Sequence, residues 1–392
     1  MSLKRWLLLG MMCMTITLVF SGCWNRRELP ELAIITAMGI DLNEDSNEYL
    51  ITYQVVNPQG MSKTSGTQGT SSSTIVYRST GTSIFEAIRK SSENVPRQLF
   101  FSHAQFIVIG ENLARKGISD IIDFFERSHE ARLSSYFLVA RGMKAEDIIS
   151  ATDPLEKIQA KAVIGEFKLT KKLWSHNVIW QVDDIIRALN DPGIDPTISG
   201  IRLANKIAES STGPKANIEI SGVALFKGDK LIGWLDGDQA RGFVRLSNTM
   251  KSTITMLDCN ERKNGVSIET TRSKSQIKVR IVNSKPSFHV HILEEGIVSE
   301  MNCKLPLNKA DTINDLERLW RSRIEKEVTS AINAMKKTHV DPSGFGLVLS
   351  RHNPKIWDDW SGNWSTDFSD CPVTVTVEAT IQRTGMRRKS FM

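Results

Sequence analysis

The chain has 392 residues, with 50 Lys and Arg against 44 Asp and Glu, a formal net charge of +6, 40% hydrophobic and 24% charged residues. These proportions describe packed globular structure and exclude an intrinsically disordered chain, and the length exceeds one ordinary core. The positive excess is mild and no dense Lys/Arg stripe occurs, so no nucleic-acid partner is expected.

The chain opens with Lys4 and Arg5, followed by a 15-residue apolar core from Trp6 to Phe20 and then Ser21, Gly22 and Cys23. That core is shorter than the roughly 20 apolar residues a spanning helix needs. A basic start, a short apolar core and small residues before a cysteine form the cleavage and lipidation site of a bacterial lipoprotein. Residues 1–22 are then a signal peptide, and Cys23 becomes the first residue and carries a diacylglyceryl membrane anchor. Each buried methylene of the acyl chains contributes about 0.8 kcal/mol to holding the protein at the bilayer. An ordinary secretory signal that contains a cysteine, or a short uncleaved anchor, is the competing reading. No second apolar segment of spanning length follows, so the rest of the chain is expected to be soluble. Removing the signal leaves 370 residues with 48 basic and 44 acidic side chains. Arg26 and Arg27 would lie at headgroup height, where lipid phosphates can meet them. Cys13 lies in the signal, which leaves Cys259, Cys303 and Cys371; an odd trio allows at most one bridge, and no C-x-x-C supports zinc.

Leu32 to Ile40 and Tyr49 to Val56 read as strands joined by the polar turn Asp41 to Asn47. Gln59 to Thr74 is a Ser/Thr/Gly-rich loop, and pairing resumes over Thr74 to Arg78. Ser83-Ile84-Phe85-Glu86 is a capping box that opens a helix. Gln105 to Ile109 reads as a buried strand, Asn112 to Arg127 as one helix, Tyr136 to Ala140 as a strand with a short helix near Glu146, and Trp180 to Leu189 as an amphipathic helix. Asn190-Asp191-Pro192-Gly193 and Asp195-Pro196 form the strongest breaker cluster. Beyond it lie a hairpin (Asn217 to Phe226, Lys230 to Leu235) and strands at Ser252 to Leu257, Ser267 to Thr270, Gln276 to Val282 and Ser287 to Leu293. Asp311 to Lys336 is the longest helix, with Ile313, Leu316, Trp320, Ile324, Val328, Ile332 and Met335 on one stripe. Strands near Gly346 to Ser350 and over Val373 to Ile381 end the chain. The fold class is α+β: mixed sheets with flanking helices over several domains, and a C-terminal β-sheet with one long helix. The expected divisions are 1–22 (signal), 23–195 (N-terminal α/β-type), 196–258 (middle, hairpin-containing) and 259–392 (C-terminal α+β).

Catalytic constellations are weak. Ser275 and Lys278 match an S-x-x-K pattern, but that chemistry needs a helix, and the alternation here says strand. His289 and His291 share one strand face without a third ligand, which fits a polar face better than a metal pair. Asp358 and Asp359 among Trp357, Trp360 and Trp364 could form a sugar platform, although clustered tryptophans more often seal a core. No phosphate loop, nucleophile elbow or H-E-x-x-H occurs. No catalytic, cofactor-binding or metal residues are assigned, and no enzyme activity is expected.

The segment Gly22-Cys23-Trp24-Asn25-Arg26-Arg27-Glu28-Leu29, with Leu32-Ala33-Ile34-Ile35 and Gly39-Ile40-Asp41, resembles the opening of the Ger(x)C spore-germination lipoproteins. So do Tyr53-Gln54-Val55-Val56-Asn57-Pro58, the run Ile109-Gly110-Glu111-Asn112-Leu113-Ala114-Arg115-Lys116-Gly117, and Ala224-Leu225-Phe226-Lys227-Gly228-Asp229-Lys230-Leu231-Ile232-Gly233. The likeness ends with Gly344-Phe345-Gly346, Pro354, Trp357 and Trp360 and covers nearly the whole chain after Cys23. Phe20 in the lipobox and Asn25, where aspartate is common, depart from the pattern. The resemblance implies the C subunit of a nutrient germinant receptor, lipid-anchored on the outer face of the spore inner membrane. Its implied partners are two membrane subunits, one of them similar to amino-acid transporters, and its implied fold is α+β with three domains and no recognised catalytic site. A solute-binding lipoprotein of a membrane transporter and an exported cell-wall hydrolase are the rival classes.

Overall fold

The computed structural model describes residues 4–7, 10–11, 29–61, 73–152, 156, 158–210, 213–259 and 262–383. Cys23, most of the expected signal peptide and most of the Gln59 to Thr74 loop lie outside the described residues. The fold is mixed α/β with two domains, each a sheet with flanking helices.

The first sheet has nine strands among the described residues. Its spine is β1 (Leu32–Asn43), flanked by antiparallel β2 (Glu48–Val56) and parallel β5 (Phe106–Gly110). Beyond β2 lies β3 (Thr74–Gly81), and the short β4 (Gln98–Phe100) pairs with the first residues of β1. On the other side follow β6 (Tyr136–Ala140) and β7 (Thr197–Ser210), both parallel, and then antiparallel β8 (Gly213–Lys227) and β9 (Lys230–Leu235). β1 is buried along nearly its whole length because helices cover both faces, which explains its near-continuous apolar run.

The period of two sorts the side chains. Ile107, Ile109, Phe137 and Val139 point to one face, covered by α1 (Ile84–Lys90), α2 (Glu111–Lys116), α3 (Ser119–Arg127) and α6 (Val182–Asn190). Phe106, Val108, Leu138 and Ala140 point to the other, under α4 (Ala145–Ser150) and α5 (Gln159–Leu173). The single helix expected from Asn112 to Arg127 is two. Gly117 stands at φ +141 between them, and a side chain there would run into the Asp229 carboxylate. The Ser83 hydroxyl accepts from the Glu86 amide as the capping box requires, while the Glu86 carboxylate reaches Thr82 instead of Ser83.

The second sheet runs β10 (Ile254–Cys259), β11 (Arg262–Val282), β12 (Lys285–Met301), β13 (Val373–Arg383). β11 and β12 form one long hairpin, so the separate short strands read at 267–270 and 276–282 are continuous. The long helix α8 (Ala310–Thr338) lays Leu316, Trp320, Ile324, Val328, Ile332 and Met335 against this sheet. α9 (Phe345–His352) occupies the place where a strand was expected near Gly346 to Ser350, and it buries Phe345 and Leu349, one turn apart. A short apolar run fits either element, and the contact of Phe345 with Phe368 favours the turn of helix. Cys259 and Cys303 form a disulfide, and Cys371 is free and buried.

The two domains share β8, β9 and α7 (Gly237–Leu246). Ala224 and Phe226 belong to the core of the first sheet, whereas Val223, Leu225 and Leu235 belong to that of the second. α7 then lies against α8 so closely that a side chain on Gly242 would meet the Glu327 backbone. Gly242→Ala is therefore expected to lower the unfolding free energy by about 1–3 kcal/mol. Gly165→Ala, in α5 with nothing within 4 Å of the new methyl, is expected to raise it by about 0.5–1 kcal/mol. Urea unfolding of both variants checks the pair; equal effects would sink the close-contact argument.

Candidate functional site

Three polar assemblies hold the chain together. The first surrounds Asp41, Gly110 and Glu111. Asp41 ends the apolar run of β1, and its carboxylate accepts from the amides of Ala145 (2.8 Å) and Glu146 (2.9 Å), capping α4. Gly110 leaves room for it, since a side chain there would strike the Asp41 carboxylate. Burial raises the pKa of Asp41, and the two amides partly offset that. Glu111 accepts from the Gly142 amide at 2.6 Å and from the Trp234 indole at 3.3 Å. Burial opposes its charge, but these donors and Arg115 outweigh it and lower its pKa. Arg141 stacks over Trp234 at 4.6 Å and pairs both nitrogens with Asp236.

The second assembly joins the breaker cluster to the C-terminal part. Asp341 accepts from the Gly346 amide (2.8 Å) and the Trp364 indole (2.9 Å), and its own amide donates to Asp195 at 2.7 Å. Gly193 and Gly346 meet back to back, and the Leu347 amide donates to the Gly193 carbonyl at 3.0 Å. Asp341 is completely buried, and this pushes its pKa up to about 7, with Asp195 adding to the rise against the pull of the donors. Burial raises Asp195 too.

The third is a buried ion cluster. Arg241 and Arg245 lie one turn apart on α7. Arg245 is wholly buried and pairs with Glu294 of β12 at 2.6 Å and with Glu327 of α8. Arg241 grips Glu327 at 2.5 Å and Asp238 at 2.8 Å, and Arg323 closes the ring onto both carboxylates. Thr270 and Ser273 donate to Glu294, each at 3.0 Å. Three arginines and three carboxylates sum to zero. Burial alone would lower the pKa of Arg245; Glu294 and Glu327 outweigh it and raise it. His176 is next to this cluster, and burial, then Arg241 and Arg245, lower its pKa to about 4.

Of the residues flagged from sequence for catalysis, metal or sugar binding, Trp364 joins the second assembly through its indole, and the others lie apart from all three. Ser275 and Lys278 fall on β11, on a strand as the alternation implied. His289 bonds Thr374 and His291 bonds Glu378, each at 2.9 Å, across the exposed face of β12 and β13. Trp364 is buried against Phe288 and Trp357 as part of the core, while Asp358 and Asp359 are exposed on α10 (Pro354–Trp360). Among the described residues, no group of three or more His, Cys, Asp or Glu could hold a metal ion. Clefts of about 590 Å³ between α1 and α3 and about 780 Å³ along α8 beside Trp234 open on the surface. Sequence reasoning missed the ion cluster and the Asp195–Asp341 joint. The readable signal was two arginines four apart within the apolar spacing of Ala240, Phe243 and Val244.

A family model described as "Spore germination protein N-terminal domain" matches residues 25–203, and one described as "Spore germination B3/ GerAC like, C-terminal" matches residues 221–385. Spore germination protein KC of Bacillus subtilis (strain 168) is 31% identical over 97% of this chain and 96% of its own. Putative spore germination protein YfkR of the same organism is 26% identical over 96% of both chains. The crystal structure of the GerBC protein superposes with a TM-score of 0.55 at 22% identity, covering 88% of this chain and 96% of that one, a likeness of fold.

Two outcomes follow from the geometry. Asp341 holds its proton up to about pH 7 when folded and only to about 3.8 when unfolded. Its contribution to stability is therefore full below about pH 4 and is lost as pH rises through about 7, by a few kcal/mol in order of magnitude. Asp41 and Asp195 act with the same sign. His176 acts oppositely, its contribution being lost as pH falls from 6.5 through about 4. Asp341→Asn should be relatively more stable at pH 8 than at pH 5 when compared with the parent by urea unfolding; an unchanged pH dependence refutes the assignment. Glu327→Ala strands two buried arginines and should cost about 3–5 kcal/mol. Arg323→Gln at the cluster's rim should cost about 1 kcal/mol or less. Thermal melts of the two variants give the comparison.

Proposed function

The chain belongs to the Ger(x)C family of spore germination proteins, and on that premise we propose that it is the lipid-anchored accessory subunit of a nutrient germinant receptor. The observation that carries this reading is end-to-end similarity to spore germination protein KC, spanning 97% of this chain and 96% of the relative. On this reading Cys23 carries the diacylglyceryl anchor at the outer face of the spore inner membrane. The body packs against the extracytoplasmic surfaces of two membrane subunits, one of them amino-acid-transporter-like, and couples nutrient binding in the complex to the release of spore contents.

The chemistry of the fold supports an assembly role. The perturbed carboxylates described above are engaged with backbone amides and an indole at joints between elements, where they fix shape. Among the described residues, no helix is long and apolar enough to cross a membrane. The nine-stranded mixed sheet and the four-stranded sheet differ in strand number and order. They do not form the two matched lobes expected of a solute-binding lipoprotein.

Spores lacking the protein should lose their response to one set of nutrients and still germinate with calcium dipicolinate, which acts without these receptors. Cys23→Ala spores with the protein at its normal level should reproduce that loss. Normal germination of Cys23→Ala spores at that level would refute the anchor. Normal germination of the deletion strain, after removal of paralogous receptors, would refute the subunit role.

A further inference from the structure

Helix α5 was not legible in the sequence as a surface feature, yet its outer stripe carries lysines and exposed leucines together. Leu169 is 57% exposed and Leu173 53%; Trp174, directly after the helix, falls in line with buried Phe167 instead and stacks on His176 at 4.8 Å. Lys161, Lys168 and Lys172 are exposed on the same stripe, at spacings of seven and four that place them in line. The inner stripe, with Ala160, Val163 and Phe167, is buried on the first sheet. Glu166 is the one acid of the helix; it is half-buried at the margin of the stripe and already engaged.

The helix also has a definite place relative to the start of the chain. Gln159 at its first turn accepts from Gln54 at 2.7 Å, and Gln54 in turn accepts from the Thr36 hydroxyl. Phe167 packs on Tyr136, whose register partner Phe106 lies opposite Ala37. α5 therefore crosses the sheet at the level of Thr36 and Ala37, about 13–17 Å from Leu32, where β1 begins. α4, on the same face, lies higher, against Gly39. The nine-residue stretch from Cys23 to Leu32 reaches at most about 30 Å.

We propose that the exposed stripe of α5 is a docking surface for an anionic lipid bilayer: Lys161, Lys168 and Lys172 meet headgroup phosphates, and Leu169 and Leu173 enter the headgroup boundary. Leucines inserted beside lysines that reach lipid phosphates are the chemistry of an interfacial helix. The orientation rests on the anchored-subunit reading, with the tether emerging at the same end of the sheet. With both contacts made, the body lies on the membrane in one orientation instead of swinging on its tether.

The test uses the full chain from residue 23 carrying Cys23→Ser, so no acyl chain contributes, and co-sedimentation with vesicles of phosphatidylglycerol and phosphatidylcholine in equal parts. The expected result is binding that weakens with salt and on pure phosphatidylcholine vesicles. Lys168→Gln and Lys172→Gln should each weaken it about fivefold, and the double variant Leu169→Gln, Leu173→Gln should abolish it while keeping the parent's melting behaviour. Lys278→Gln with Arg280→Gln, on the exposed face of β11, should leave binding unchanged. Absence of vesicle binding by the parent, or equal losses from the β11 variant, overturns the proposal. The two readings fail separately: a wrong anchor shows as unlipidated Cys23 in cells, a wrong surface as a negative vesicle assay with Cys23 lipidated.

Discussion

Arg245 has no exposed surface, and the fold is organised around keeping its charge compensated. Its partners come from different parts of the chain: Glu294 from the long hairpin of the second sheet and Glu327 from the middle of α8. A guanidinium withdrawn from water is tolerable only when carboxylates and hydrogen bonds surround it, so α7, β12 and α8 must meet in one geometry. Arg241 repeats the demand one turn earlier on α7, and Glu327 serves both arginines. Hydrophobic packing on the same helices is non-directional and would accept small slides. The ion cluster does not, because its bidentate pairs have fixed directions.

That constraint has a consequence for how the two domains relate. α7 follows directly from β9, the last strand of the first sheet, and its arginines are fastened inside the second domain. β8 contributes alternate side chains to both cores. A second fastening comes from the Asp195–Asp341 joint, where the two glycines Gly193 and Gly346 bring backbones into contact. The domains are thus tied by a shared hairpin, by ion pairs and by backbone hydrogen bonds at separated places. Relative motion would have to break polar contacts that are buried, which is far costlier than sliding an apolar surface.

The periodic parts of this architecture were readable. Ile277, Val279 and Ile281 alternating with Lys278 and Arg280 gave β11, and the stripe from Ile313 to Met335 gave α8 almost to its ends. Resemblance pointed at Gly110, Asp41 and Gly344-Phe345-Gly346 without saying why they matter. The structure supplies the reason: a carboxylate capping a helix behind a glycine, and a glycine contact beside a buried aspartate. What could not be read depends on pairs far apart in the chain. Asp341 alone looks like any loop aspartate before a proline; only Asp195 and Trp364, brought in by the fold, make it special. α5 escaped because its lysines and leucines share the outer stripe, which blurs the apolar spacing that marks a surface helix. Which cysteines bond was equally closed to spacing arguments, since the bridge needs Cys259 at the end of β10 to face the turn after β12.

A body fastened in this way bears on the proposed role. If nutrient binding occurs in the membrane subunits, a lipid-anchored accessory subunit can respond either by changing its own shape or by changing its position against them. Shape change would require opening the ion cluster or the aspartate joint, both of which are buried. Position change requires only that surface contacts be made and released, and those exchange against water at little cost. The physical balance therefore favours a rigid element whose placement is the variable, and on the proposed anchor that placement would be set where the chain meets the membrane. That makes the orientation of the first sheet over the bilayer, more than any pocket in the body, the property on which coupling in such a complex would depend.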